Sequence, residues 1–312
     1  MKILVVGDLH GKKPKIHFKD FDCIIQVGDV CDDSKFRPYL KKWFVSIKKE
    51  GVKAVSDDRF IINQIGKRGL RKLEQDSLKR GRKILEYLNN FGKPIFIIPG
   101  NWDQSYGETR IKDMDKSDYN YLKAFYDFYM GDWINPKLVR GLKNIRDCQF
   151  KVKEFNKINF FGYGLTSSYE HYKRKRKLNV SKSEHEKLKK AYFNLIKKLF
   201  YSYSKRNKKL PSIFISHNIP RNTKLDLVRN KDSPAHGMHL GSSLARKFCE
   251  KYQPLMCIGG HVHEGVGKSK IGKTILVNPG FGENAQVLID IDEHKGKVKN
   301  IRFFRKGKQH KH

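Results

Sequence analysis

The sequence predicts an α/β protein in which a second sheet packs against the first. Five short apolar runs, rich in β-branched residues, each stop at a small residue followed by a side chain that can ligate a metal. Such runs are the mark of strands buried on both faces. Segments with apolar residues at helical spacing separate them, and shorter alternating strands with turn residues follow from Cys148 onward.

The first run, Ile3, Leu4, Val5 and Val6, ends at Gly7 and presents Asp8 and His10. Two residues apart in an extended segment, their side chains leave the backbone on one side, so a carboxylate oxygen and an imidazole nitrogen can meet at one point. The second run (residues 23–30) ends in Gly28 and Asp29, and the third (94–103) in Gly100, Asn101 and Asp103. The fourth (212–218) delivers His217 and the fifth (255–263) His261 and His263. Open α/β sheets place their sites at the carboxyl ends of strands, so these five ends are expected to gather in one crevice.

Between the runs, residues 36–49 carry Leu40, Trp43, Phe44 and Ile47, and residues 70–91 carry Leu73, Leu78, Ile84, Leu85 and Leu88, both at helical spacing with Lys/Arg-rich opposite faces. Residues 57–69, with Gly66 and Gly69, read as a loop or a short extended excursion. Residues 104–112 read as a polar loop at the rim of the crevice, and the aromatic-dense 116–130 as an amphipathic helix on the core rather than a base-stacking surface. Strands at 148–155 and 158–163, joined by Asn156 and Lys157, begin the second sheet. A basic helix is expected within 167–210, where Lys173-Arg-Lys-Arg-Lys177 leads into a stripe of Leu188, Tyr192, Leu195, Ile196, Leu199 and Phe200. Residues 241–252 form a helix capped by Ser242 or Ser243. Strands at 273–277, 285–291 and 298–304 are expected to complete the second sheet, leaving 305–312 as a frayed basic tail.

One domain over 1–304, with basic helical insertions near 32–91 and 167–210, suits this length. No apolar run is long enough to span a membrane, and a cleaved leader would remove Asp8 and His10 with the first strand. The five cysteines lack C-x-x-C spacing, and three sit in or beside apolar runs, which reads as packed, reduced thiols in a cytoplasmic protein. The net charge of +34 has two readings. Lys and Arg can neutralise phosphates and bind nucleic acid by counterion release, or Lys can simply occupy every solvated position.

The ordered series Asp8-Leu-His10, Gly28-Asp29-Val, Gly100-Asn101-Trp102-Asp103, His217 and Gly260-His261-Val-His263 resembles the calcineurin-like metallophosphoesterases. The further text His217-Asn-Ile-Pro, Thr223-Lys-Leu-Asp226, Gly237-Met-His239-Leu-Gly-Ser and Val277-Asn-Pro-Gly280 is similar to small prokaryotic phosphoesterases related to the class III phosphodiesterases. The resemblance implies a four-layer α/β/β/α sandwich of two mixed β-sheets. It also implies two divalent metal ions: one on Asp8, His10 and His263, one on Asn101, His217 and His261, with Asp29 bridging. Mixed imidazole and oxygen ligation points to Mn, Fe, Zn or Ni.

The implied activity is hydrolysis of a phosphoester, as a phosphodiesterase or phosphatase, with Asp29, Asn101 and His217 at the reacting centre. Asp103 is expected to orient a ligand and Asn218 to hold the phosphate side. Trp102 stands where many members carry His, and an indole N–H cannot transfer a proton at neutral pH. His236 and His239 are the nearest substitutes as general acid, His239 being the candidate carried forward. Two other readings stay open: a nuclease with a basic crevice, and a non-catalytic scaffold like the retromer subunit of this fold.

Overall fold

A computed structural model describes residues 1–50, 57–103, 136–164, 182–231, 233, 235–304 and 310–311. The expected rim loop at 104–112, the aromatic segment 116–130 and the Lys173–Lys177 run lie outside the described residues.

The strands, in chain order, are β1 (Lys2–Val6), β2 (Cys23–Gln26), β3 (Ile95–Ile97), β4 (Ile145–Asp147), β5 (Lys153–Phe155), β6 (Ile158–Tyr163), β7 (Ser212–Asn218), β8 (Met256–Gly260), β9 (Gly267–Ile271), β10 (Thr274–Asn278), β11 (Gln286–Asp292), β12 (Lys297–Phe303) and β13 (His310–Lys311). The helices are α1 (Arg37–Glu50), α2 (Asp57–Asn89), α3 (Pro136–Val139), α4 (Lys182–Ser204) and α5 (Ser243–Tyr252). Among the described residues one sheet runs β13-β12-β11-β1-β2-β3-β4 and the other β5-β6-β7-β8-β10-β9. Both are mixed. β1 to β4 are parallel neighbours, as are β6, β7, β8 and β10, while the flanking strands pair antiparallel.

Period-two alternation explains the layering. Ile3 and Val5 on β1 face the second sheet and share a core with Phe160, Ile213, Ile215 and Ile258, whereas Leu4 and Val6 face outward beneath Leu70, Leu78, Leu85 and Leu88 of α2. Across the gap between the sheets Phe96 and Phe160 stack with ring centroids 3.8 Å apart. On the far side Phe161 and Phe214 are covered by Leu195, Leu199 and Tyr203 of α4 and by Leu244 and Phe248 of α5. Helix, sheet, sheet, helix is therefore the order of layers, as expected.

Four local expectations are corrected. Residues 57–69 are helical, part of α2, with the helix broken only at Gly66, whose φ of 72° and ψ of 167° lie outside the helical region. β11 and β12 belong to the first sheet, not the second, because β11 pairs antiparallel with β1 from Lys2↔Asp290 to Val6↔Gln286. The first arm of the 148–163 hairpin is only the three residues of β5, although Asn156 and Lys157 do form its turn, both with positive φ. Finally, His310 and Lys311 pair with Phe303 and Arg302 rather than fraying. Ser242 is the cap of α5, its side chain accepting from the Ala245 N–H. All five cysteines are free and buried, and among the described residues no helix is long and apolar enough to cross a membrane.

Candidate metal centre

Five strand ends, from β1, β2 and β3 of one sheet and β7 and β8 of the other, deliver the candidate residues. Two groups form. Asp8, His10 and His263 make one, and Asp29, His217 and His261 the other, each with ligand-type atoms within 4.8 Å of one another. Asp29 Oδ2 joins them, lying 3.4 Å from His10 Nε2 and 3.3 Å from His217 Nε2. Asn101 Oδ1 sits 2.9 Å from His217 Nε2 and 3.1 Å from His261 Nδ1.

The small residues before the ligands have a steric cause. A Cβ on Gly100 would lie 2.1 Å from Asp29 Oδ1, and one on Gly260 2.3 Å from Asp8 Oδ1. The strand ends close on one another only because these side chains are missing. Three of the gathered residues also hold strained backbone: His10, Asp29 and His261 have φ of 44°, 55° and 68°. Asp8 and His10 therefore converge through a turn and not along an extended segment as expected. The turn is fixed by the Asp29 carbonyl, which accepts from the N–H groups of Leu9 and His10 at 3.0 and 2.8 Å.

The donor atoms fit cations. His217 Nδ1 lies 2.9 Å from the Val27 carbonyl oxygen, which can only accept, so Nδ1 carries a proton and Nε2 is the nitrogen left facing Asn101 and Asp29. Asp33 Oδ2 makes an ion-pair contact with His10 Nδ1 at 3.1 Å, and His10 Nε2 lies 3.1 Å from His263 Nε2. Asp8 Oδ1 is buried with no hydrogen-bond partner. Lone pairs facing lone pairs in a buried site repel unless positive charge lies among them.

Without a cation, protons held on the site's own groups supply part of that positive charge. Burial, and then the Asp29 carboxylate, push Asp8 up to about 7. Burial opposes charging of His217, but Asp29 and Asp8 overcome it and raise this imidazole to about 10. Burial and the neighbouring His217 push His261 down to about 3, and burial with His10 takes His263 to about 4. Burial works against Asp29 as well, yet His217 and His10 hold it below the ordinary carboxylate range.

The supporting residues differ from expectation in part. Asp103 orients backbone and no imidazole: Oδ1 accepts from the Val30 and Cys31 N–H groups at 2.9 and 3.0 Å and Oδ2 from Gly100 at 3.0 Å, tying the Asp29 turn to the Asn101 turn. The Asn218 amide donates to the Leu240 carbonyl at 3.3 Å. Trp102 donates its backbone N–H to Asp29 Oδ1 at 2.9 Å, and its indole packs on Phe36. His239 is held by buried Asp226 at 2.8 Å, His236 is exposed, and neither lines the cleft over the centre. Sequence reasoning missed Asp33 and Phe281, the latter stacked on His263 at 4.3 Å and meeting His10 edge-on at 5.3 Å. The doubled acid Asp32-Asp33 just after Asp29 was the available signal for the first.

The family model described as calcineurin-like phosphoesterase matches residues 1–265. The chain belongs to that family. An uncharacterized protein of Methanocaldococcus jannaschii, MJ1162, is 35% identical over 133 residues, which are 41% of this chain and 51% of that one, so the chain spans about half the length of the curated relative it matches. A solved crystal structure superposes with a TM-score of 0.53 at 16% identity, covering 97% of this chain and 99% of the other, a likeness of fold. The phosphopantetheinyl hydrolase of Mycobacterium tuberculosis superposes with a TM-score of 0.45 at 11% identity over 90% of this chain and 89% of its own. Members of the family typically depend on a dinuclear metal centre, and the two residue groups here are its candidate ligands.

Proposed function

We propose that this chain is a binuclear-metal-dependent phosphoester hydrolase, with Asp8, His10 and His263 holding one cation, Asn101, His217 and His261 the other, and Asp29 shared. The observation that carries the reading is Asp29 Oδ2, within 3.4 Å of an imidazole nitrogen from each group. A carboxylate is suited to that position because its lone pairs can serve two cations about 3.5–4 Å apart. When bound, such a pair lowers the pKa of a shared water and neutralises the charge that builds on a phosphoryl group.

The residues of the chain do the rest. His261 and His263, both pushed well below the usual imidazole range, stay neutral and keep their lone pairs at physiological pH. Asp33 and the Val27 carbonyl fix the rings of His10 and His217 so that Nε2 points inward in each. Trp102 lines the cleft beside Asn101 without a proton to give. Esters with good leaving groups are therefore the expected substrates, and simple alkyl esters the slow ones.

The test is hydrolysis of bis-p-nitrophenyl phosphate and p-nitrophenyl phosphate by protein stripped of metal and reloaded with Mn, Ni, Zn or Mg. Turnover that needs metal and falls to background in Asp29→Ala is expected, and the ratio of the two rates separates diesterase from monoesterase. Two cations bound per chain with no turnover on either ester would turn the reading into a metal-binding scaffold of this fold.

A further inference from the structure

The cleft over the centre has a volume of about 290 Å³, and α1 forms part of its wall. Arg37 and Lys41 are one helical turn apart, as are Leu40 and Phe44, so α1 brings a cationic row and an apolar row to the same opening. Trp102 continues the apolar wall, its ring tilted on Phe36 with centroids 5.3 Å apart. Phe44 is 47% exposed, a large aromatic left facing the cleft.

The charges on the rim are not equivalent. Arg37 is committed to Asp33 at 2.9 Å, the same carboxylate that holds His10, so its charge is largely cancelled. Lys41 makes no ion pair or hydrogen bond among the described residues and stands one turn further out. A phosphoryl group seated on the candidate metal ligands would thus have flat apolar side chains beside it and, among the described residues that line the cleft, an uncommitted cation beyond. A planar ring stacks on such side chains, and a second anionic group answers the lysine.

Resting on the hydrolase reading above, we propose that the substrate is a phosphoester of a flat heteroaromatic compound bearing a second anionic group, a nucleotide with two separate phosphates in chemical class. Phe44 and Trp102 take the ring, and Lys41 takes the second anion.

The test uses three diesters with one leaving group, so the bond broken is the same in each. Methyl p-nitrophenyl phosphate carries only the leaving-group ring that all three share, thymidine 5′-(p-nitrophenyl phosphate) adds the heteroaromatic base, and its 3′-phosphorylated form adds the second anion. With metal-loaded wild type, kcat/KM is expected to rise about tenfold at each addition, the scale of one stacked ring or one charge-assisted contact. Phe44→Ala should collapse the ratio between the second ester and the first, and Lys41→Ala the ratio between the third and the second. Both side chains are exposed, so the variants remain folded. Equal kcat/KM on all three esters would overturn the inference and leave the hydrolase reading standing. If no ester is turned over, calorimetric binding of thymidine 3′,5′-bisphosphate against methyl phosphate decides: tighter binding that weakens in Lys41→Ala and Phe44→Ala upholds the cleft assignment while the hydrolase reading falls, and equal binding sinks both.

Discussion

At the scale of single residues, Asp33 is the clearest example of a side chain that acts through another. It touches no other candidate ligand, but its contact with His10 Nδ1 sets which nitrogen faces the centre. Asp33→Asn is expected to weaken binding of the cation shared by Asp8, His10 and His263 by about 10- to 100-fold with little change in melting temperature of the metal-free protein, read by metal titration. The raised groups give a pH prediction. Metal-free Asp8, at about 7 against an ordinary 3.8, and His217, at about 10 against 6.5, hold protons in the folded chain that the unfolded chain has released. Their contribution to stability is complete below those ordinary values and disappears as pH rises through about 7 and about 10. Above about pH 7, where the unfolded forms of the depressed His261 and His263 have also lost their protons, metal-free protein is therefore expected to melt at progressively lower temperature up to pH 9, and metal-loaded protein, in which cations replace those protons, much less so. Thermal melts of the two forms across that range check it, and a flat profile for the metal-free form would contradict the protonated state of both groups.

At the scale of elements, the turn between β5 and β6 carries a correctable cost. Asn156 and Lys157 have φ of 45° and 56°, the left-handed pair of a two-residue hairpin, where Asn is tolerated and Lys is not favoured. Lys157→Gly is expected to stabilise the protein by about 0.5–1 kcal/mol, seen as a raised denaturation midpoint. The cap of α5 runs the other way: Ser242→Ala removes the acceptor for the Ala245 N–H at 2.8 Å and should cost about 1 kcal/mol by the same measurement. The strand ends obey a stricter rule. Gly260→Ala would bring a methyl group to 2.3 Å from Asp8 Oδ1, so loss of metal binding is expected from a change remote in sequence from Asp8.

At the scale of the whole molecule, β1 is the pivot. It lies between β11 and β2, and its end carries Asp8 and His10. Removing residues 285–312 would strip β11 and β12 from the first sheet and expose Ile3 and Val5 together with their partners across the gap. Such a chain is expected to be insoluble or to lose cooperative unfolding, measurable by circular dichroism, although every candidate metal ligand precedes the cut. What the sequence alone determined was local: continuous apolar runs marked β1, β2, β3, β7 and β8, and the small residue with a ligating side chain at each end marked the candidate centre, because strand burial and steric closeness leave their signature within a few residues. Gly66 and Gly69 misled it over 57–69, since glycine argues for a break wherever it falls while tertiary packing on the sheet keeps α2 helical on both sides of Gly66. Only the tertiary structure decided that β11 and β12 join the first sheet, that Asp33 backs His10, and that α1 walls the cleft. Each of these depends on pairing between segments far apart along the chain, and neither spacing nor composition records which distant partner a buried face will meet.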